Sequence, residues 1–234
     1  MKNRLEKLVW EFLPSNKDSG QGVLSVYLTG SSVRGDYNPR VSDQDLLIVF
    51  DNNVARRDQK IIVEELTEYA GEKNNEFKRL DVLYINEKEV PYSEKQILNC
   101  PFSKFSVFGF DLKEHHFLLY GNDILKNFKP IDPVPHIEYF LNTFIKKAKN
   151  ATALQEELIF SRQIIRCLFI KNGVKTLHKE KLKEKIGDLP YSNTVKGFLI
   201  SHPYLSYTPT TPEEFRPRLV SFLGEIKSLL NEKG

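Results

Sequence analysis

The chain has 234 residues and a mass of 27.2 kDa; 40% of its residues are hydrophobic, 28% are charged, and its mean hydropathy is −0.40. That composition suits one large folded domain or two small ones and excludes a disordered or fibrous chain. No stretch approaches the roughly 18 consecutive apolar residues of a membrane helix, so no membrane partner is expected. The net charge of +3 is uneven: residues 1–130 hold 18 Lys and Arg against 20 Asp and Glu, and residues 131–234 hold 16 against 11. The second half is basic enough to meet a phosphate or polyanion, although such an excess is also that of an ordinary solvated helical surface.

The opening segment carries Leu5, Leu8, Val9, Trp10, Phe12 and Leu13 at helical spacing, with Pro14 and the polar run Ser15–Gly22 predicted to end that helix. The start lacks the apolar core of a secretory signal. Cys100 and Cys167 are too few for a disulfide framework or, by themselves, a zinc site. Reduced thiols and a cytoplasmic location are therefore expected.

Residues 23–28 read as a strand, Thr29-Gly30-Ser31-Ser32 as a turn, and residues 33–42 as a connecting loop. Leu46-Leu47-Ile48-Val49-Phe50 is apolar on both faces and suits a central strand covered on both sides. Residues 54–72 predict a helix ending near Gly71, and Leu80–Ile85 and His116–Tyr120 predict two more strands, with an irregular segment over 86–110. Lys129–Pro135, with three prolines in seven residues, reads as a linker. Beyond it, helices are predicted at about 134–150, 152–172, 178–186 and 212–232. The expected fold class is α/β (α+β). A mixed sheet flanked by helices would occupy residues 1–130, and a helical bundle residues 131–234.

Chemistry concentrates between Gly30 and Val49. Asp43 and Asp45 are two residues apart at the start of a strand, so alternation turns both to one face. Two carboxylates that close repel unless a cation, a shared proton or solvent relieves them. Their hard oxygens suit Mg²⁺, which keeps several waters and also binds substrate phosphates. A Gly30-Ser31 turn leaving a strand can offer N–H groups and a hydroxyl to a phosphate. Asp81 near the start of another apolar strand supplies a third carboxylate if the two strands are neighbours. Each feature alone is commonly a turn, a cap or a surface charge; their combination in this order is much more specific. Gly30 to Gly35 is not a P-loop, because no Lys-Ser/Thr follows, and no dinucleotide glycine fingerprint is present. His115 and His116, being adjacent, point to opposite faces; one is expected to be buried and one exposed. Arg162 and Arg166, one helical turn apart, could meet phosphate or pair with Glu156 or Glu157.

Over roughly residues 24–85 this pattern resembles the nucleotidyltransferase superfamily that includes DNA polymerase beta. That family has Gly-Ser, a loop of about ten residues, Asp-x-Asp and a later acidic residue, matched here by Gly30-Ser31, Asp43, Asp45 and Asp81. The segments His116–Leu125, Ser161–Phe169, Lys171–Val174 and Lys179-Glu180 are similar to aminoglycoside adenylyltransferases of the streptomycin/spectinomycin type. The resemblance implies a Mg²⁺-dependent enzyme, with two ions expected, that moves a nucleoside monophosphate from ATP or another NTP to a hydroxyl of a small acceptor such as an aminoglycoside. It implies metal ligation by Asp43, Asp45 and Asp81, and phosphate contacts from Gly30, Ser31, Arg34 and Ser42. The third acidic position in that group is a Glu proposed as general base; here it is the shorter Asp81, which suits a metal ligand as well as a base. Two alternatives stand beside this reading. One is transfer to protein or tRNA, as in toxin–antitoxin nucleotidyltransferases, with nucleic acid the less favoured partner. The other is an NTP-binding module without catalysis.

Overall fold

The computed structural model describes residues 2–15, 22–38, 42–77 and 79–231. Parts of the expected polar run after Pro14 and of the expected 33–42 loop lie outside the described residues. The chain divides into two compact units between Ile131 and Asp132.

In the first unit, α1 (Lys2–Ser15) leads to β1 (Val23–Thr29), the one-turn helix α2 (Ser31–Arg34), β2 (Gln44–Phe50) and α3 (Arg56–Lys73). Then come β3 (Leu80–Asn86), α4 (Glu94–Leu98), α5 (Gly109–Glu114) and β4 (His116–Gly121). The sheet order is β3-β2-β1-β4. β1 runs antiparallel to both β2 and β4, and β2 and β3 are parallel, joined by α3 as the crossover. The sheet is therefore mixed, and its two central strands are covered on both faces.

Alternation along the strands explains the two cores. Val26, Leu28, Leu46, Ile48 and Phe50 face Leu5, Val9 and Phe12 of α1 and Ile62, Leu66 and Ala70 of α3. Tyr27, Leu47, Val49 and Ile85 face the other way, onto Val90, Ile97, Phe105, Leu112, Leu125 and Phe128. Burying a side chain of this kind contributes about 1.5–3 kcal/mol.

Several boundaries differ from the sequence expectation. Helix α1 includes Pro14 instead of ending before it. The turn after β1 closes into α2, and the 86–110 segment contains α4 and part of α5. His115 and His116 are both half-buried, not one buried and one exposed; His116 Nδ1 lies 2.9 Å from the Leu112 carbonyl, while His115 pairs with Asp111.

The second unit is all-helical: α6 (Ile137–Asn150), α7 (Leu154–Lys171), α8 (Lys179–Lys185), α9 (Asn193–Ser201), α10 (Pro203–Ser206) and α11 (Pro212–Asn231). Apolar stripes such as Phe140, Leu141, Phe144 and Ile145 on α6, and Ile164, Ile165, Leu168 and Phe169 on α7, supply its core. Phe198 of α9 stacks on Phe222 of α11 at 4.2 Å. The helices α9 and α10 had no counterpart in the sequence expectation. Among the described residues no helix is long and apolar enough to cross a membrane.

Candidate active site

The face of the sheet that carries Tyr27, Leu47, Val49 and Ile85 changes character at one end. Two residues beyond Tyr27 is Thr29; two before Leu47 is Asp45; two before Leu83 is Asp81. The register aligns them, with Thr29 opposite Asp45 and Asp45 opposite Asp81. On its other side Thr29 is opposite His116. A row of four polar residues thus crosses all four strands where the apolar alternation stops. Neighbouring strands lie about 4.8 Å apart, so the Asp45 and Asp81 carboxylates can share one cation. Asp43 precedes β2 at the same parity and is exposed.

The chain sets its own cations against these charges. Lys104 Nζ lies 3.0 Å from Asp45 Oδ1 and 3.3 Å from Thr29 Oγ1. Arg79 Nε lies 3.4 Å from Asp43 Oδ1. Among the described residues, no group of three or more His, Cys, Asp or Glu side chains is drawn together tightly enough to hold a metal. The chemistry of the donors nevertheless fits the expected ion. Asp45 and Asp81 are hard oxygen donors side by side, and Asp43 adds a third two residues away.

Glycine at position 30 has a steric reason. Its backbone sits at φ 70°, ψ −147°, a region essentially reserved for glycine. A Cβ there would lie 2.8 Å from Asp45 Cγ and closer still to Oδ2. The turn therefore presses its backbone against the Asp45 carboxylate. Gly35, at φ 92°, closes α2 by donating its N–H to the Ser31 carbonyl. Ser31 is buried at the start of α2. The neighbouring Ser32 hydroxyl is buried without a hydrogen-bond partner among the described residues, a polar group the sequence reading passed over.

Arg34 and Ser42 are turned inward. The Arg34 side chain is only 4% exposed; its guanidinium donates to Asp36 at 3.1 Å and to Asp111 at 2.8 Å. Asp111 also meets His115 at 3.2 Å. This network ties the segment after α2 to α5. Ser42 Oγ accepts the Asn38 N–H at 3.1 Å, and the Ser42 N–H donates to the Asn38 carbonyl at 2.8 Å. Both residues, as placed, close the loop between α2 and β2. Asp36, Asp111, Thr29, Arg79 and Lys104 were all missed from sequence; none carries a local pattern that marks it.

The second unit, taken by itself, holds a basic and aromatic cluster. The Arg166 guanidinium lies 4.8 Å from the Tyr204 ring centre; Lys179 and Lys183 lie 4.9 and 4.6 Å from that of Tyr207. Arg166 also donates to the Tyr204 hydroxyl at 3.2 Å, while Glu157 accepts from Arg216 at 2.9 Å. Tyr207 is the one described non-glycine residue with positive φ. Nearby, His202 is buried and held neutral. Its Nδ1 accepts the Tyr204 N–H at 3.0 Å, and its Nε2 lies 2.9 Å from Ser161 Oγ. Burial first, and then the charges of Arg162 and Arg218, push its pKa down to about 3.

The first unit thus combines a mixed sheet, a glycine turn pressed against Asp45 and a second aspartate, Asp81, in register with it. Residues 7–109 match the family model of the nucleotidyltransferase domain, a match that supports an enzyme of that class. The fold of the chain is similar to the crystal structure of spectinomycin adenyltransferase AAD(9) from Enterococcus faecialis with ATP and spectinomycin. The TM-score is 0.66 at 14% identity, over 96% of this chain and 99% of that one. At that identity the likeness establishes a shared fold alone. No curated protein matches the chain.

Proposed function

We propose that the protein transfers a nucleoside monophosphate, AMP from ATP, onto a hydroxyl of a small aminoglycoside-like acceptor with the help of Mg²⁺. The observation that carries this reading is the register of Asp45 with Asp81, next to a glycine that admits backbone against the Asp45 carboxylate. The partner molecule named for the similar structure, spectinomycin, supports the acceptor class.

Asp43, Asp45 and Asp81 would hold the divalent ions. When bound, Mg²⁺ supplies charge neutralisation on the triphosphate and on the departing pyrophosphate. The reaction is an in-line displacement. The acceptor oxygen forms a bond to the α-phosphorus, the bond from that phosphorus to the bridging oxygen breaks, and pyrophosphate leaves with the electron pair. The hydroxyl proton would pass to a carboxylate, that of Asp81 in this reading, or to solvent. Gly30 and Ser31 would line the phosphates. Arg34 and Ser42 would act by holding the segment that follows α2.

The test is incubation of the whole protein with α-labelled ATP, Mg²⁺ and a panel of aminoglycosides, following label transfer and pyrophosphate release. Transfer that requires the divalent ion and is lost in Asp45→Asn is the expected result; no transfer to any member removes the antibiotic acceptor. A second reading, transfer to tRNA, draws on the cluster of Arg166, Lys179 and Lys183 with Tyr204 and Tyr207. It requires tRNA binding that weakens steeply with salt.

A further inference from the structure

Resting on that reading, we infer that Lys104 is a built-in counter-ion of the acidic row: its ammonium holds the Asp45 oxygen that a divalent ion would take, so lysine and metal compete for one carboxylate.

The geometry is specific. The Lys104 ammonium bridges Asp45 Oδ1 and Thr29 Oγ1, an arrangement of two oxygens from adjacent strands at 3.0 and 3.3 Å. Asp45 Oδ2 faces the other way, toward the Gly30 backbone. One oxygen of the carboxylate thus lies against backbone while the other meets a movable cation.

The lysine's own backbone is anchored. The residues after it, Phe105, Ser106, Val107 and Phe108, are all buried, and Phe105 packs edge-on against Phe128 at 5.5 Å. Backbone bonds from Phe105 and Ser106 to the Phe102 carbonyl, and from Phe108 to that of Ser103, hold the turn on either side of it. Only the flexible four-carbon stem is left to move, and the side chain is 30% exposed, so the ammonium can swing to solvent or toward an arriving anion.

The physical requirement is equally direct. Asp45 and Asp81 side by side repel when no cation is present. Lys104, bonded to Asp45, offsets part of that repulsion in the metal-free protein. Were Asp45 to hold a divalent ion, an ammonium about 3 Å from that carboxylate would become a like charge and oppose binding. Lys104 is therefore a positioning residue that sets the metal affinity of the row and keeps Asp45 in place until the ion arrives.

The experiment measures Mn²⁺ binding to the full chain without nucleotide, by the electron paramagnetic resonance signal of free Mn²⁺. The variants are Lys104→Met, Lys104→Gln, Lys104→Arg and Asp45→Asn, each checked for folding by circular dichroism. Removing the charge in either neutral variant should tighten Mn²⁺ binding roughly five- to tenfold, the scale of a partly exposed charge pair with a divalent partner. The arginine variant should stay near wild type. The thermal midpoint of the metal-free protein should fall in the neutral variants and recover on adding Mn²⁺. Unchanged or weaker binding in both neutral variants, with binding still lost in Asp45→Asn, overturns the role of Lys104 alone. Equal binding by wild type and Asp45→Asn overturns the underlying metal reading instead.

Discussion

Substituting Gly30 by Ala tests the closeness of the turn to Asp45 of β2, and Gly35→Ala is its control. Both glycines have positive φ, 70° and 92°. A Cβ at Gly35 meets nothing within 4 Å, so alanine there carries only the left-handed backbone penalty, about 1–2 kcal/mol. At Gly30 the conformation itself costs about 1–3 kcal/mol for a non-glycine residue. The added methyl must also displace Asp45, whose Cγ would be 2.8 Å away. Asp45 cannot retreat freely, because it is bonded to Lys104 and its strand is paired on both sides. Gly30→Ala should therefore unfold several degrees below Gly35→Ala, at roughly 3–5 °C per kcal/mol for a unit of this size. The larger difference is in turnover. A displacement of Asp45 by about 1 Å should lower kcat by about a hundredfold or more, while Gly35→Ala stays within a few-fold of wild type. Thermal unfolding by circular dichroism and steady-state pyrophosphate release measure the two effects. Equal unfolding midpoints and equal kcat for the two variants would refute the steric account.

Removing the Arg34 guanidinium leaves Asp36 and Asp111 buried without their shared cation. Arg34→Ala should lose about 3–5 kcal/mol in urea unfolding, and a loss below 1 kcal/mol would make the network incidental. Asp45→Asn and Asp81→Asn should each lower kcat by at least about two orders of magnitude. If Asp81→Asn also weakens Mn²⁺ binding it is a ligand, and if binding is unchanged it is the proton acceptor. The His202 pKa is about 3 in the folded chain against an ordinary value of 6.5, so between those values the unfolded chain binds more protons. Stability is complete above pH 6.5 and falls as pH drops toward 3, by up to about 1.4 kcal/mol per pH unit. Urea unfolding from pH 7.5 to 4.5 should show this slope, and His202→Asn should remove that part of it.

The parts of the site that were legible share one property: their geometry is local. Alternation alone turns Asp43 and Asp45 to one face, and a glycine before serine at a strand end marks a turn. The neighbour relation of Asp45 and Asp81 was conditional in the sequence, because it needs β2 and β3 to pair in one register across the long crossover of α3. Lys104 had no signal at all. It is 59 residues from Asp45 in sequence and lies in a segment whose aromatic residues obey neither strand nor helix spacing. The same cause hid the short helices. Elements such as α4, with five residues, are too brief for periodicity, although Ser93 and Gln96 form a capping box that announces the start of α4. The burial of Arg34 was hidden for a related reason. An arginine in a polar loop after Gly-Ser suggests an exposed phosphate contact, and nothing local shows that Asp111, 77 residues on, comes back to bury it.

The acidic row also lies at a boundary that sets how strongly its charges act. On one side it continues a face whose next residues, Tyr27, Leu47 and Val49, are fully buried. On the other, Asp43 and Asp81 are exposed to solvent and Asp45 is 25% exposed. Charges placed fully in the core would be held by their first partners too firmly to exchange, and fully exposed ones would be screened to little effect. At the margin, a carboxylate keeps enough field to attract a cation and enough water to release it. That placement lets Asp45 and Lys104 form a bond of ordinary length that can still be broken, whereas the buried Arg34 bonds to Asp36 and Asp111 are suited to remain closed.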